Sequence, residues 1–494
     1  MERYVLAIDQ GTTGTTVSIV NESANPIAKI NEEYRQIFPN PGWVEHDPED
    51  IWKSTESTIS KALTVSGISP KQIAAIGITN QRETVMVWDR KTGKSIYNAI
   101  VWQCRRTTEF CNRIKKDKNK VSVIKKKTGL VVDPYFSGSK IRWILDKVKG
   151  SRSRAKSGEL AVGTVDTFLL WRLTDGLSHA TDVSNASRTQ LMNIKTAGWD
   201  SELLKIFGVP KEILPEIKES NADFGRTKGL SFLPDGIPIC GIAGDQQAAL
   251  FGQACFSVGE AKCTFGTGSF ILMNTGDKPV TSKNCLTTIA WKMKGDKKPT
   301  YALEGSVFIC GAAVQWLRDS LGIIKKSSDV EELANQVEST EGVEFVPALS
   351  GLGAPYWRPE ARGIITGLTR GSTRAHIARA TLEAMALQNC EILWAMEKDS
   401  KKKLKNLKVD GGASANNTLM QIQADYLGAK VIRPEVIETT AMGAAFLAGI
   451  GAGVWKSREE VRKVWSENRS FTAKFSAQKR KERLKNWKSA VERA

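Results

Sequence analysis

Val5-Leu6-Ala7-Ile8-Asp9-Gln10-Gly11-Thr12-Thr13 runs from an apolar stretch through a carboxylate into a glycine–threonine turn. The apolar stretch reads as a β-strand. The glycine permits a tight exit that exposes backbone N–H groups, and the threonines add hydroxyl donors. Such a turn suits phosphate oxygens, although a single copy is commonly no more than structural. Two further copies follow: Cys263-Thr264-Phe265 leads into Gly266-Thr267-Gly268-Ser269, and Leu407-Lys408-Val409 leads into Asp410-Gly411-Gly412-Ala413-Ser414. One turn near the start and two in the second half predict two lobes closing on one polyphosphate, and hence a nucleotide-dependent phosphotransferase.

Around these turns the chain alternates strand and helix patterns. Strands are expected at 4–9, 16–20 and 27–34, and a helix starts at Asp47-Pro48-Glu49-Asp50, which combines an N-cap, a first-turn proline and acidic residues. Ile73-Ala74-Ala75-Ile76-Gly77-Ile78-Thr79 reads as a strand buried on both faces. Helices are expected at 140–149, 166–173, 311–320, 328–336, 376–398 and 416–427, with a hairpin at 259–274 and a strand at 300–304. Mixed strands and amphipathic helices imply α/β layers. No 20–50-residue period is visible, which excludes solenoids. A boundary near 250, giving lobes 1–250 and 251–494, has no Pro/Ser linker, so the lobes are expected to pack directly.

At 494 residues the chain exceeds one ordinary core, and its 41% hydrophobic and 25% charged content is that of a globular protein. Its eight cysteines form no C-x-x-C pair, which suits reduced thiols in a cytoplasmic protein. Met1-Glu2-Arg3-Tyr4 runs straight into a strand and lacks signal-peptide character. The uncharged run 439–455 is Gly/Ala-rich and short for a membrane span, so a closely packed helix is expected. The charge of +18 gathers in lysine clusters at 115–127, 401–408 and 474–488. With few interleaved aromatics these read as solvated faces, with no nucleic-acid partner. Gly93-Lys94-Ser95 lacks the upstream glycine of a P-loop, and Asp223-Phe224-Gly225 lacks the companion motifs of protein kinases. His46, His179 and His376 show no metal spacing.

Phosphoryl transfer needs a polyphosphate cradle, a carboxylate near magnesium, a base for the acceptor and a site that excludes water. Asp9, at a strand end, is the metal candidate, although a turn-forming Asp has the same pattern. Asp245, in Gly241-Ile242-Ala243-Gly244-Asp245-Gln246-Gln247, is the base candidate; an N-cap carboxylate looks alike, and the two roles are compatible. Thr79-Asn80-Gln81-Arg82-Glu83-Thr84 offers a guanidinium fork and a carboxylate to acceptor hydroxyls, or else forms a salt-bridged hairpin.

Several runs carry a closer likeness: Gly42-Trp43-Val44-Glu45-His46-Asp47-Pro48, Ile78 to Thr84, Tyr97-Asn98-Ala99-Ile100-Val101-Trp102-Gln103-Cys104-Arg105-Arg106, Asp133-Pro134-Tyr135-Phe136-Ser137-Gly138, Gly244 to Gly252, and Gly351-Leu352-Gly353-Ala354-Pro355-Tyr356-Trp357. From Asp9 to about Trp455 the chain resembles the glycerol kinases, a branch of the FGGY carbohydrate kinases within the actin/hexokinase-like ATPase superfamily. That resemblance implies an α/β fold of two actin-like (ribonuclease H-like) domains flanking a deep catalytic cleft. The first would bind glycerol and phosphate, and the second the nucleotide. It implies ATP-dependent phosphorylation of glycerol to sn-glycerol 3-phosphate, the first step of glycerol catabolism, by direct in-line transfer with ATP/ADP and Mg²⁺.

By the same resemblance Arg82, Glu83, Tyr135, Asp245 and Gln246 would hold the glycerol hydroxyls, and Trp102 and Phe270 its carbon skeleton. Asp245 would be the base and Asp9 would organise Mg²⁺. Thr12, Thr13, Gly14, Thr267, Gly311 and Gln315 would line the phosphates, with Gly412 and Asn416 near the adenosine. Helices at 163–173 and 440–449 would be the interlobe pair, and the protein would be a homodimer or homotetramer. The chain departs from the family at Gly14-Thr15-Thr16, where many relatives have a basic continuation. The loop for a regulatory sugar bisphosphate is not recognisable around 230–238, and no histidine lies there. A kinase for a larger polyol or ketose is disfavoured by the small-substrate set Arg82, Glu83, Trp102 and Tyr135, and a non-catalytic scaffold by Asp9 with Asp245.

Overall fold

The structure is a computed structural model and describes residues 2–356, 358 and 360–494; Met1 of the opening segment and Trp357 of the 351–357 motif lie outside them. In the first half, strands β1 (Tyr4–Gln10), β2 (Gly14–Asn21), β3 (Pro26–Glu33), β4 (Ile73–Asn80) and β5 (Pro238–Gly244) form a sheet in the order β5-β4-β1-β2-β3, with Gly225–Arg226 on its outer edge. β1 and β4 are the near-continuous apolar runs expected of central strands covered on both faces. β1 pairs antiparallel with β2 and parallel with β4, which in turn pairs parallel with β5. Asp9 is opposite Thr79, and Thr79 opposite Ala243. Three parallel strands thus end side by side at Gln10, Asn80 and Gly244, with Asp9 one residue before the end of β1. In such sheets ligands bind at the carboxyl ends of the strands.

The second half repeats the plan. Strands β6 (Glu260–Phe265), β7 (Ser269–Gly276), β8 (Leu286–Trp291), β9 (Thr300–Val307), β10 (Asn406–Asp410), β11 (Val431–Pro434) and β12 (Glu467–Phe471) form a sheet in the order β8-β9-β7-β6-β10-β11-β12. Within it, β11-β10-β6-β7-β9 reproduces the order and directions of the first sheet. Thr264 lies opposite Asp410, which sets the second and third glycine turns next to each other.

The helices around the sheets are α1 (Pro48–Ser66), α2 (Val165–Leu173), α3 (Asp245–Gly252), α4 (Gly311–Asp319), α5 (Arg374–Ser400), α6 (Asn417–Leu427) and α7 (Thr439–Gly451). The Asp47 carboxylate caps α1 by accepting from the N–H of Glu49 at 2.9 Å. α7 lies between β11 and β12 of the second sheet in sequence yet packs on β1, β4 and β5 of the first, and most closely on α3. A Cβ at Gly443 would lie 1.8 Å from the Ala248 carbonyl oxygen, and one at Gly252 would lie 2.0 Å from that of Thr439. Only glycine allows this approach. The interlobe pair is therefore α3 with α7. The expectation that 163–173 supplies one member is corrected, because α2 buries Val165, Phe168, Leu169 and Leu170 in the core of the first lobe. A helix apolar all round reads alike in either position.

Other expectations resolve simply. Gly93 closes a hairpin, its N–H donating to Asp89 at 2.8 Å, and the Asp223 carboxylate accepts from the N–H of Gly225 at 3.0 Å. All eight cysteines are free and buried. Lys408, counted in a solvated cluster, is instead buried, with Nζ donating to the Gln253 carbonyl at 2.5 Å and lying over the Trp465 ring. No helix among the described residues is long and apolar enough to cross a membrane.

Candidate active site

The first turn is held mainly through its carbonyls. Gly11 N–H donates to the Gly14 carbonyl (2.9 Å), Gln81 Nε2 to the Gly11 carbonyl (3.0 Å), and Tyr34 Oη and Gln36 Nε2 to the Thr12 carbonyl (2.9 and 3.1 Å). The N–H groups of Thr12 and Thr13 have no partner among the described residues. This is the state an anion cradle requires. Gly14, expected among the nucleotide contacts, is buried in β2, where a Cβ would lie 2.6 Å from the Glu32 carbonyl oxygen. Its small size serves the β2–β3 contact.

The second turn and the start of α4 are joined directly. Gly311 N–H donates to the Gly266 carbonyl (2.9 Å), and the N–H groups of Cys310 and Ala312 donate to the Thr267 carbonyl (2.9 and 3.0 Å). The third turn has Gly411 at φ 82°, where a Cβ would lie 2.6 Å from the Phe265 carbonyl oxygen. Between these turns lies a cavity of about 510 Å³, lined by Thr267, Gly311, Gln315, Gly412 and Asn416, with Val314, Leu382, Met385 and Leu419 as apolar walls. Asn416 caps α6 by accepting from the N–H of Leu419 at 2.8 Å. The sequence-expected nucleotide residues of the second half therefore meet at one cavity, whose size and apolar lining suit a nucleoside.

Across the cleft the lining is charged and buried. Arg82 donates from Nη1 and Nη2 to both carboxylate oxygens of Glu304 (2.5 and 3.1 Å) and from Nη1 to Gln247 Oε1 (3.2 Å), and its Nε lies 3.0 Å from Asp245 Oδ1. Arg188 donates from Nε to Glu83 Oε1 (2.6 Å) and from Nη2 to Glu304 Oε1 (2.8 Å). Burial alone would raise the Glu304 carboxyl, but the Arg188 and Arg82 guanidiniums outweigh it and hold it down to about 2. Burial raises the Glu83 carboxyl, against the pull of Arg82 and Arg188. Trp102 and Tyr135 meet edge-to-face at 5.6 Å, and Trp102 Nε1 donates to Thr12 Oγ1 at 2.9 Å. The acceptor wall is thereby tied to the first turn. Phe270 stands half-buried on β7 beside Ser269, on the opposite lobe.

Four residues of this region were not singled out from sequence. Arg188 and Glu304 are described above. Lys140 is fully buried, its Nζ bonded to the carbonyls of Tyr135 and Glu83, and burial brings its ammonium down to about 7. Lys262 is also fully buried, bonded to Gln246 Oε1 and, at 2.9 Å, to Thr264 Oγ1. Lys262 and Glu304 had a legible signal, since each interrupts an apolar strand. Lys140 and Arg188 lie in mixed polar segments that resemble surface.

Asp245 opens α3, with its Oδ1 accepting from the N–H of Gln246 at 2.6 Å and its side chain 30% exposed to the cleft. Asp9 is half-buried near the end of β1, and its carboxylate has no hydrogen-bond or ion-pair partner among the described residues. Burial, and then the charge of Asp245, push its carboxyl up to about 7. A buried carboxylate beside a second one calls for a cation. No group of three or more His, Cys, Asp or Glu among the described residues forms a metal cage. Mg²⁺ fits such a site, because it takes few protein ligands and completes its shell with phosphate oxygens and water.

Comparison with known proteins gives the family. Residues 4–252 match the FGGY family of carbohydrate kinases, N-terminal domain, and residues 261–452 match its C-terminal domain. The chain is 63% identical over 494 residues to a glycerol kinase of Bdellovibrio bacteriovorus, covering 100% of this chain and 99% of that protein. It is 57% identical over 495 residues to a glycerol kinase of Caldanaerobacter subterraneus subsp. tengcongensis, with the same coverage. Among solved structures, Plasmodium falciparum glycerol kinase with ADP superposes with a TM-score of 0.95 at 40% identity, covering 100% of this chain and 98% of that one. A gluconate kinase of Lactobacillus acidophilus, at TM-score 0.88 and 22% identity, covers 100% of this chain and 97% of its own and shares the fold.

Proposed function

The chain belongs to the FGGY family of carbohydrate kinases, and on that premise we infer that it transfers the γ-phosphoryl group of ATP to glycerol, giving sn-glycerol 3-phosphate and ADP. Two actin-like lobes flank the cleft in which this happens. The observation that carries the reading is the junction at Trp102, whose ring meets Tyr135 of the acceptor wall while its Nε1 holds Thr12 of the first phosphate turn.

In this reading Arg82, Glu83, Tyr135 and Gln246 orient the glycerol hydroxyls, and Trp102 and Phe270 cover its carbons. Asp245 accepts the proton of the reacting hydroxyl as its oxygen bonds to the γ-phosphorus and the bond to the ADP oxygen breaks. Asp245 suits this role because it faces the cleft beside Arg82 at 3.0 Å. Thr12, Thr13, Thr267, Gly311 and Gln315 line the phosphates, Gly412 and Asn416 lie on the adenosine side, and Gly14 keeps β2 close to β3 beside the first turn. Asp9 would hold Mg²⁺, which when bound neutralises charge on the phosphate oxygens. Closure of the lobes keeps water from replacing the alcohol as acceptor.

The division at 250 into a glycerol-and-phosphate lobe and a nucleotide lobe belongs to this reading. So do a cytoplasmic location and an assembly of two or four copies, which light scattering would count. The lysine-rich surface has no nucleic-acid partner in this account. Association with duplex DNA near 0.15 M salt is expected at about 10⁻⁶ M or weaker, without effect on turnover. The central test is ADP production from ATP and Mg²⁺ with and without glycerol. Turnover that depends on glycerol is expected, and turnover that prefers a five-carbon ketose would overturn the assignment.

A further inference from the structure

We propose that Glu304 and Arg188 are positioning residues for the acceptor, holding Arg82 and Glu83 in their binding conformation across the cleft. The proposal rests on the glycerol reading above. Glu304 lies in β9, opposite Leu272 and Leu286 of the strands on either side. An ionised carboxylate in so apolar a sheet is costly unless paired and hydrogen-bonded. Both cations that pair with it come from the other half of the chain. Glu304 Oε2 accepts from Arg82 Nη1 at 2.5 Å, and Oε1 accepts from Arg82 Nη2 at 3.1 Å and Arg188 Nη2 at 2.8 Å. The charges then alternate in one row, buried from Glu83 through Arg188 and Glu304 to Arg82 and ending at Asp245 on the cleft.

This row fixes two orientations at once. The bidentate grip of Glu304 holds the Arg82 fork in one plane and leaves its Nε edge on Asp245. Arg188 holds the carboxylate of Glu83, whose backbone is left-handed at φ 62°. Glutamate adopts that conformation only where its surroundings over-determine it. Here Ser137 Oγ and Lys140 Nζ also grip the Glu83 carbonyl, each at 3.2 Å. The acceptor residues are thus set by a carboxylate that belongs to the nucleotide-side sheet.

A purely structural role for Glu304 makes a different forecast. Glu304 shares its sheet with the turn at 266–268, so a simple packing defect would weaken ATP at least as much as glycerol. The test is steady-state kinetics and thermal melting of the full chain carrying Glu304→Gln, Glu304→Asp or Arg188→Lys. Glu304→Gln is expected to lower kcat/KM for glycerol by about 10²-fold, by leaving Arg82 without its buried counter-charge, while KM for ATP changes less than about threefold. Glu304→Asp keeps the charge and should recover part of the loss. Arg188→Lys keeps the charge without the fork and should lose about tenfold on the glycerol side alone. Equal losses for both substrates, or a glycerol KM within twofold of the parent in a folded variant, would overturn the proposal. If Glu304→Gln does not fold, Arg188→Lys decides by the same criteria. The glycerol reading fails separately, if the unaltered protein shows no glycerol-dependent turnover.

Discussion

Arg82, Glu83, Arg188 and Glu304 on the acceptor side are each at most 3% exposed and hold one another in ion pairs, whereas the nucleotide side is a cavity of about 510 Å³ walled by small and apolar residues. The difference follows from what each side has to recognise. A polyol of three carbons offers little apolar area, so it is selected by directed polar groups whose orientation is fixed beforehand. A nucleoside has a large flat ring, so shape, backbone N–H groups and the absence of side chains suffice. The acceptor side should therefore be intolerant of chemical change, and the nucleotide side mainly of changes in bulk.

The most severe break is at the base. Asp245 is the first residue of α3, with Gly244 at the N-cap position, so Asp245→Asn keeps the shape and an oxygen for the Gln246 N–H but removes the proton acceptor; kcat should fall by roughly 10²–10⁴-fold with the melting temperature little changed. Near-normal turnover would remove Asp245 from the mechanism.

The next break uses the substrate instead of the protein. Propane-1,2-diol lacks one hydroxyl and would leave a buried donor or acceptor of the Arg82–Glu83 set unpaired. Its kcat/KM should be lower than that of glycerol by at least about 10²-fold. Equal use of the two would mean that the polar row does not read the hydroxyls.

What was legible in the sequence divides along the same line. The three turns, Asp9, Asp245 and the Arg82–Glu83 pair stand directly after apolar strands, so local pattern placed them at strand ends. Thr267, Gly311, Gln315, Gly412 and Asn416 converge on one cavity from three separate segments of the second half. Arg188 and Lys140 lie in mixed polar segments whose burial no local window shows, and Arg188 pairs with Glu83 and Glu304 more than 100 residues away; Lys262 and Glu304 are marked locally only as charges inside apolar strands. The interlobe pair was half misread for a related reason. α2 is the more apolar segment, while the close approach of α3 to α7 depends on Gly252 and Gly443, whose effect exists only when the two helices meet.

A third prediction concerns Asp9, which belongs to neither wall. Its carboxyl is raised from 3.8 to about 7, first by burial and then by Asp245. Below pH 4 it is protonated in both folded and unfolded chains and contributes no pH-dependent term. Between about pH 4 and 7 the unfolded chain ionises first, so stability falls as pH rises, and above 7 the full penalty persists. That penalty is on the order of a few kcal/mol. Asp9→Asn should therefore raise the melting temperature of the ligand-free protein at pH 8, with a smaller gain at pH 5, while activity is lost. A melting temperature lowered equally at both pH values would show that the ionised carboxylate is not under strain.

The mildest changes probe the nucleotide side with one methyl group at a time, and they separate shape from contact. At Gly311 a Cβ would lie 2.6 Å from the Gly266 carbonyl oxygen, the atom that also accepts the Gly311 N–H. Gly311→Ala must push the second turn away from α4, so both stability and ATP affinity should suffer, by about 1–3 kcal/mol and roughly tenfold in KM. At Gly412, which lines the same cavity, a Cβ would meet nothing within 4 Å. Gly412→Ala should leave the melting temperature unchanged and raise KM for ATP by only a few-fold, because the methyl group intrudes on the ligand's space and on no part of the protein. Glycerol KM, measured at saturating ATP, should stay within about twofold in both variants if shape acts locally on the nucleotide side. A glycerol KM that rises with the ATP KM would show that the two sides are not independent, and that the buried ion pairs at Glu304 transmit a shift of the nucleotide-side sheet to Arg82.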